Sequence, residues 1–230
     1  MTPAPRQLIL DLPHRSAFGA EDFFVSQSNS AAVKLIDQWP NWQHWAAVVS
    51  GPPGAGKSHL ASVWRQRSNA MTIAATDLTE NAVEGLLEQG ALCVEDLDRG
   101  IGEQTVLFHL LNVARERKLS ILLTARAAPG ELDISLPDLR SRLRALPLVK
   151  IQAPDESLLK AVLVKLFSDR QLIVDPQLID FMAARMERTM DGATTLVSEI
   201  DKLALAMRRR VTRTLALEAL NRLADIRDTK

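Results

Sequence analysis

One octapeptide constrains the fold of this chain more than any other part of its sequence. Residues 51–58 read Gly-Pro-Pro-Gly-Ala-Gly-Lys-Ser, which fits the GxxxxGK[ST] pattern at every fixed position. An apolar run at 46–49 precedes it, and a helical pattern with Leu60, Val63 and Trp64 follows it. A strand, a glycine loop and a helix in this order form the setting of a phosphate-binding loop. The sequence therefore predicts such a loop at 51–58.

The residue types of this loop suit a nucleoside diphosphate or triphosphate. Glycines let the backbone N–H groups curl around a phosphate, and the following helix adds the positive end of its dipole. Lys57 is placed for the outer phosphates, and the Ser58 hydroxyl for a magnesium ion. The alternative is a Gly/Pro turn that matches by chance, and the two flanks argue against it. The predicted nucleotide-binding residues are Gly51, Pro52, Pro53, Gly54, Ala55, Gly56, Lys57, Ser58 and His59.

Length, charge and cysteine content limit the classes of protein to which this chain can belong. The 230 residues have room for one large domain or a moderate domain with a small satellite, and 47% of them are hydrophobic. The 28 basic and 28 acidic residues balance, so no global field recruits nucleic acid or an acidic surface. A single cysteine, Cys93, excludes a disulfide within the chain. We find neither a signal-peptide core nor a membrane-length apolar stretch, and we expect a cytoplasmic protein without a membrane partner.

Five short apolar runs alternate with helical patterns up to about residue 152. Short runs separated by helices indicate βαβ units and a parallel sheet that is buried on both faces. An amphipathic helix at about 29–39 is expected before the first run, and Pro40 ends it. We therefore predict an α/β core with a five-stranded parallel sheet. The predicted strands are 46–50, 71–75, 91–94, 120–124 and 148–151.

The character of the sequence changes after Pro154. All later segments carry helical spacing, and Asp155 and Asp175 have the chemistry of helix N-caps. We predict an N-terminal segment at 1–20, a nucleotide-binding core at 21–153 and an all-helical domain at 154–230. The predicted helices of the last domain are 155–169, 176–188, 192–209 and 214–225.

Two acidic residues end the third apolar run. Glu95 and Asp96 stand where a phosphate-loop protein holds its metal and orients the attacking water. We expect Glu95 to share Mg²⁺ with Ser58, and we expect slow hydrolysis because Asp96 is one methylene shorter than the usual base. A strand end with a solvated acidic turn is the alternative. Thr124 ends the next run and is a candidate sensor of the terminal phosphate, although strands often end in threonine.

Three arginines alternate along a short helical segment, at Arg140, Arg142 and Arg144. An arginine supplied across a subunit boundary can stabilise charge at the γ-phosphate of a neighbouring ATPase. Taken alone, the segment is more simply an exposed basic turn.

Together these motifs resemble the DnaA-like group of AAA+ ATPases. Residues 56–60, Gly-Lys-Ser-His-Leu, match the form found in DnaA, its regulators and DnaC-like helicase loaders. Residues 22–25 resemble the segment that packs beside the adenine in DnaA, which implies adenine contacts from Phe23 and Val25. Residues 136–143, Leu-Pro-Asp-Leu-Arg-Ser-Arg-Leu, resemble the segment that carries the arginine finger. The resemblance implies an AAA+ P-loop NTPase core followed by a small all-helical lid domain.

Two resemblances assign the arginine finger and a docking peptide. The match to DnaA places the arginine finger on Arg142, and a separate similarity concerns the N-terminus. The N-terminal segment is similar to the QLxLxL peptide by which proteins dock into the apolar groove of the replication sliding clamp. Gln7 would supply hydrogen bonds at the pocket rim, and Leu8, Leu10 and Leu12 would supply buried apolar area. An edge strand is the alternative because the leucines alternate, although flanking prolines argue against it.

The ensemble resembles the Hda-type regulatory inactivators of DnaA. DnaA carries a helix-turn-helix domain after its lid, whereas this sequence ends at Lys230, and we expect neither that domain nor sequence-specific DNA binding. Docked on the DNA-loaded clamp, the chain would promote hydrolysis of DnaA-bound ATP and restrain replication initiation. The apparent position of the lid sensor arginine holds Asp191, with Arg188 one turn earlier. Because a carboxylate repels a γ-phosphate, ADP is favoured over ATP as the ligand, unless Arg188 substitutes.

Two other interpretations remain open at this point. One is a DnaC-like helicase-loader ATPase, and the other is a structural adaptor that a bound nucleotide stabilises. The sequence also leaves a homo-oligomer and the chain's own ATPase activity open.

Overall fold

The computed structural model describes residues 24–83, 90–207 and 209–228. They fall into two compact units. The first unit is Gln27–Gln152, and the second begins at Ala153 and groups with residues 24–26. Each unit has its own hydrophobic core.

The first unit is built on a five-stranded parallel sheet, as predicted. Its order is β2-β3-β4-β1-β5, so the first strand in sequence lies between the fourth and the fifth. Both faces are buried: Val48 and Leu123 are fully covered on one face, and Val49 and Leu122 on the other. The strands are β1 (Ala46–Ser50), β2 (Met71–Ala74), β3 (Ala91–Glu95), β4 (Ser120–Ala125) and β5 (Leu148–Lys150).

The strand ends differ from the predicted ones by a single residue. β3 extends to Glu95 and β4 to Ala125, because ladder hydrogen bonds continue into residues whose side chains are polar or small. β2 stops before Ala75, which starts a 3₁₀ turn (Ala75–Asp77), and β5 stops before Ile151.

Helices cover both faces of the sheet. Leucines of α4 and α5 form a core with one face of the strands, among them Leu107, Leu110 and Leu139. The buried side of α2 carries Leu60 and Trp64. The helices are α1 (Ser30–Gln38), α2 (Lys57–Ser68), α3 (Glu80–Val83), α4 (Gln104–Arg117) and α5 (Pro137–Ala145), and a 3₁₀ turn follows β3 at Leu97–Arg99.

The parallel sheet has two chemically different edges. The carboxyl edge is where the strands end, and residues 51–56, Asp96 and Ala125 lie there. The amino edge is where the strands begin, next to Trp45 and Leu146. β1 has five residues, so the two edges stand about 16 Å apart at roughly 3.3 Å per residue.

In the described part of the second unit, four helices surround an apolar cluster that includes Leu163, Phe167 and Val197. None of the helices in the described ranges combines the length and the apolar character that a membrane span requires. The helices are α6 (Glu156–Asp169), α7 (Pro176–Ala183), α8 (Met190–Met207) and α9 (Arg213–Asp228).

The two predicted N-caps of this unit, Asp155 and Asp175, are confirmed. The Asp155 carboxylate accepts the Leu158 N–H at 2.8 Å, and Asp175 accepts the Gln177 N–H at 2.8 Å. α7 is shorter than the predicted 176–188. The chain turns after Ala183, and the Thr189 hydroxyl accepts the Gly192 N–H at 2.9 Å, so that the next helix begins two residues early.

Candidate functional site

The predicted phosphate loop joins the end of β1 to the start of α2. Gly51 packs so closely on the Ile151 carbonyl that a Cβ atom there would clash with its oxygen. Gly56 has a φ of 96°, a left-handed conformation that favours glycine, and it is the N-cap of α2. The glycines therefore let the backbone bend tightly between the strand and the helix.

Lys57 is folded into this loop. Its Nζ donates to the Gly51 carbonyl at 2.8 Å and to the Pro52 carbonyl at 3.0 Å, and the residue is only 8% exposed. Ser58 and His59 follow on the first turn of α2, and both are exposed. That turn holds no acidic residue, so the helix dipole leaves the loop positive.

The acidic pair lies at the same carboxyl edge. Glu95 is half-buried at the end of β3. Burial raises the pKa of its carboxyl group, the neighbouring Asp96 charge raises it further, and Arg65 opposes both effects. Glu95 therefore carries its negative charge at a cost that a nearby cation would offset.

Asp96 and Thr124 are joined across neighbouring strands. The Asp96 backbone has a φ of 59°, and its N–H donates to Thr124 Oγ1 at 3.0 Å. The Asp96 carboxylate is paired with Arg99, with Oδ2 3.0 Å from Nε. Gly51 N–H donates to the Ala125 carbonyl at 3.2 Å, so the loop, Thr124 and the acidic pair belong to one site.

Sequence reasoning missed an ion pair at this edge, between Asp98 and Arg126. One Asp98 oxygen accepts the Arg126 N–H at 2.6 Å, and the other lies 3.3 Å from Arg126 Nε. This pair ties the turn after β3 to the residue that follows β4. The signal in the sequence was weak, because it consists of one acid two residues beyond Asp96 and one arginine two residues beyond Thr124.

The residues at this edge fit a magnesium ion only together with a phosphate ligand. Within the described ranges, no group of three His, Cys, Asp or Glu side chains is arranged to hold a metal. Mg²⁺ is usually bound by one or two protein oxygens, water and substrate phosphates. Ser58 and Glu95 can supply the protein oxygens of such a set.

The three arginines of α5 have different surroundings. Arg140 donates from Nε and Nη2 to the Ile134 carbonyl, and Arg144 Nη2 donates to the Gly130 carbonyl at 3.3 Å. Arg142 instead lies over the face of Phe108, with its guanidinium carbon 5.2 Å from the ring centroid. Its side chain makes no hydrogen bond or ion pair with a described residue.

Arg142 lines a groove of about 650 Å³, which we call the amino-edge groove. It lies beside residues that precede β1 and β5, at the sheet edge opposite the phosphate loop. Phe108 and Arg115 were missed in the sequence, although their separation of seven residues places both on one side of α4. The groove is lined by His44, Trp45, Phe108, Arg115, Asp138, Ser141, Arg142, Ala145 and Leu146.

Several predicted residues lie elsewhere. Gln7, Leu8, Leu10, Leu12 and Phe23 fall outside the described residues. Val25 is half-buried in the short segment before α1. In the second unit, Arg188 is exposed in the turn before α8, and Asp191 is exposed in its first turn.

Superposition on solved structures identifies known proteins that share this fold. No protein-family model matches the chain. Domain III of the Thermotoga maritima replication initiation protein DnaA superposes with a TM-score of 0.72 at 20% identity, over 86% of this chain and 93% of that chain. AMPPCP-bound DnaA from Aquifex aeolicus superposes with a TM-score of 0.67 at 20% identity, over 79% of this chain and 64% of that chain.

A second class of structure gives a similar result. The Thermotoga maritima RuvB Holliday junction branch migration motor superposes with a TM-score of 0.68 at 15% identity, over 86% of this chain and 69% of that chain. At these identities the likeness concerns the fold alone. The first unit has the fold of the AAA+ P-loop core in these structures, with a five-stranded parallel sheet, and a small helical unit follows it.

Proposed function

We propose that this chain is a nucleotide-binding AAA+ protein of the Hda type, which promotes hydrolysis of ATP held by DnaA. In this proposal it acts while docked on the DNA-loaded sliding clamp, and it thereby restrains replication initiation. The observation that carries the proposal is the placement of Arg142. Its guanidinium has no carboxylate partner among the described residues, and it lies at the sheet edge opposite the chain's own phosphate loop.

Nucleotide binding is the first step of the proposal. Lys57 now donates to two neutral carbonyl groups of the loop. Hydrogen bonds from an ammonium to phosphate oxygens are stronger than bonds to neutral acceptors, so a bound phosphate would draw this ammonium to itself. Loop N–H groups and Lys57 would hold the phosphates of ADP or ATP, while Ser58 and Glu95 would hold Mg²⁺. The metal would neutralise charge between the phosphates and Glu95.

Slow hydrolysis at the chain's own site is the second step. A general base must accept a hydrogen bond from the attacking water. The Asp96 carboxylate is already paired with Arg99, and its short side chain follows a left-handed backbone. We therefore expect a bound nucleotide to persist at this site, which agrees with ADP as the resident ligand.

Action on a partner is the third step. A guanidinium that only an aromatic ring holds in place keeps its N–H donors available for phosphate oxygens. The two edges of the sheet are about 16 Å apart, so Arg142 is remote from the chain's own loop. A nucleotide presented by a second ATPase is the simplest target for such an arginine. Clamp docking through Gln7, Leu8, Leu10 and Leu12 rests on the sequence resemblance.

The test measures ATP hydrolysis by ATP-loaded DnaA with clamp loaded on DNA. We expect wild-type chain to accelerate it and Arg142→Ala to lose the acceleration, on the order of 10³-fold for an arginine finger. Arg144→Ala is the matched control, because Arg144 lies on the same helix but donates to Gly130. Equal loss in both variants would contradict the assignment of the finger to Arg142.

Other outcomes would separate the remaining interpretations. No acceleration by the wild type, together with rapid ATP turnover by the chain alone, would favour a helicase loader. Full acceleration by Arg142→Ala would favour an adaptor that positions another group. Deletion of residues 6–12 tests clamp docking separately, and unchanged clamp binding after this deletion would refute that part of the proposal.

A further inference from the structure

The amino-edge groove contains a second arginine that no motif accounts for. Arg115 lies two turns after Phe108 on α4 and is exposed, and it lines the same groove as Arg142. Like that of Arg142, its side chain makes no hydrogen bond or ion pair with a described residue. Two guanidinium groups therefore face one groove with their donors available.

The other charges of the groove do not cancel these two. Asp138 is the one carboxylate among the lining residues, and it stands one turn before Arg142 on α5. The His44 ring is the remaining titratable group, and it is tilted against Trp45 with a centroid separation of 5.1 Å. The chain as a whole has 28 basic and 28 acidic residues, so this local excess is a feature of the groove and not of the composition.

The walls of the groove favour a flat or extended anion. Trp45, Phe108 and Leu146 supply apolar surface, which lowers the local dielectric constant and strengthens charge interactions nearby. The Arg142 guanidinium carbon lies over the ring of Phe108, and the N–H donors of a guanidinium lie in its own plane and form a fork. A fork of this kind suits the paired oxygens of a phosphate chain.

We infer that Arg115 and Arg142 together form a recognition surface for the polyphosphate of a nucleotide. Arg115 is its binding residue, which attracts and holds the phosphates, and Phe108 is the positioning residue of Arg142. The inference deepens the proposed function and rests on it for the source of the phosphates, which is the ATP held by the partner ATPase. A free polyphosphate presents the same chemistry, so the test has one arm for each source.

The first arm uses ATP-loaded DnaA, clamp on DNA and the full chain at increasing concentration. Arg115→Ala should raise the half-saturating concentration roughly tenfold, because one charge-assisted hydrogen bond is lost, while the maximal rate stays within about twofold. A change in the half-saturating concentration without a change in the maximal rate shows that Arg115 acts in binding and not in catalysis. Arg117→Ala is the control, because Arg117 is an exposed arginine in the last turn of the same helix but outside the groove.

The second arm uses the full chain with its phosphate loop filled by ADP. Tripolyphosphate is titrated by calorimetry into wild type, Arg115→Ala and Arg117→Ala. Binding that Arg115→Ala weakens and Arg117→Ala preserves identifies the groove as a site for free polyphosphate. An effect in the first arm alone identifies partner-held ATP as the source.

The outcomes remain distinct if the proposed function fails. Should wild-type chain leave DnaA hydrolysis unchanged, the proposed function is lost and the calorimetric arm decides the inference by itself. In that situation, the absence of tripolyphosphate binding to wild type overturns the recognition surface. The recognition surface is also overturned if Arg115→Ala and Arg117→Ala behave equally in every arm that gives a signal.

Discussion

Thr124 and Asp96 are joined by a hydrogen bond between neighbouring strands. Thr124 Oγ1 accepts the Asp96 N–H at 3.0 Å, and Asp96 has a φ of 59°. The side chain of Thr124 is therefore engaged in holding the backbone turn that follows Glu95. A hydroxyl also carries one proton to donate, so this bond leaves Thr124 able to contact a phosphate oxygen.

Substituting Thr124 separates these two contributions. Thr124→Val keeps the shape but removes the acceptor, and we expect a loss of about 1–3 kcal/mol in the free energy of unfolding because the Asp96 N–H loses its partner. Thr124→Ser should retain most of the stability. Urea denaturation of both variants measures the difference, and equal stability would show that the bond contributes little.

Lys57 offers a direct test of nucleotide binding. Adding ADP at 100 times its dissociation constant should stabilise the wild type by about 2.7 kcal/mol, since a ligand that binds only the folded state favours that state. Lys57→Ala should lose this stabilisation. Lys34→Ala, at an exposed position on α1, is the control and should keep it. Thermal unfolding with and without ADP provides the measurement, and an ADP shift retained by Lys57→Ala would argue against the predicted loop.

Trp64 combines a large buried ring with an unsatisfied donor. It is fully buried, it stacks on Trp42 with ring centroids 5.3 Å apart, and its Nε1 has no hydrogen-bond partner among the described residues. Trp64→Ala should cost about 3–5 kcal/mol through the cavity it leaves. Trp64→Phe should cost much less, because it removes the orphan N–H while keeping an aromatic ring. Chemical denaturation compares the two, and equal losses would contradict this explanation.

Glu95 should make stability depend on pH. Its pKa is raised in the folded state by burial and by Asp96, so the folded protein binds more protons than the unfolded chain between the ordinary and the raised pKa. Stability is therefore lost as pH rises through this window. Glu95→Gln, which mimics the neutral acid, should be more stable than wild type at pH 7.5, in the absence of nucleotide and magnesium.

The advantage of Glu95→Gln should shrink as the pH falls and should vanish below the ordinary pKa of glutamate. Melting temperatures measured from about pH 4 to 7.5 test this expectation. Glu131→Gln, at an exposed position, is the control. An advantage that is independent of pH would point to packing instead of charge.

Patterns within short segments of the sequence were enough to predict the fold. The five strands, the loop at 51–58 and the caps Asp155 and Asp175 follow from local composition and spacing, because a buried parallel strand and a helix N-cap each have a signature of a few residues. The largest error was the end of α7. Apolar spacing continues beyond Ala183, but the chain turns there, and the Thr189 hydroxyl accepts the Gly192 N–H at the start of the next helix.

The candidate sites needed the tertiary structure. Arg140, Arg142 and Arg144 are equivalent by charge and spacing, and only the carbonyl groups of Ile134 and Gly130 and the ring of Phe108 tell them apart.

The sequence by itself therefore determined the parallel α/β core, its phosphate loop and the helical unit that follows. Only the tertiary structure decided that Asp98 pairs with Arg126, that Thr124 holds the turn after β3, and that Arg142 and Arg115 share one groove. The physical reason is the separation along the chain of the residues that interact. Periodicity, capping and turn chemistry act between residues a few positions apart, whereas hydrogen bonds, ring contacts and shared grooves depend on packing between segments that are distant in the chain.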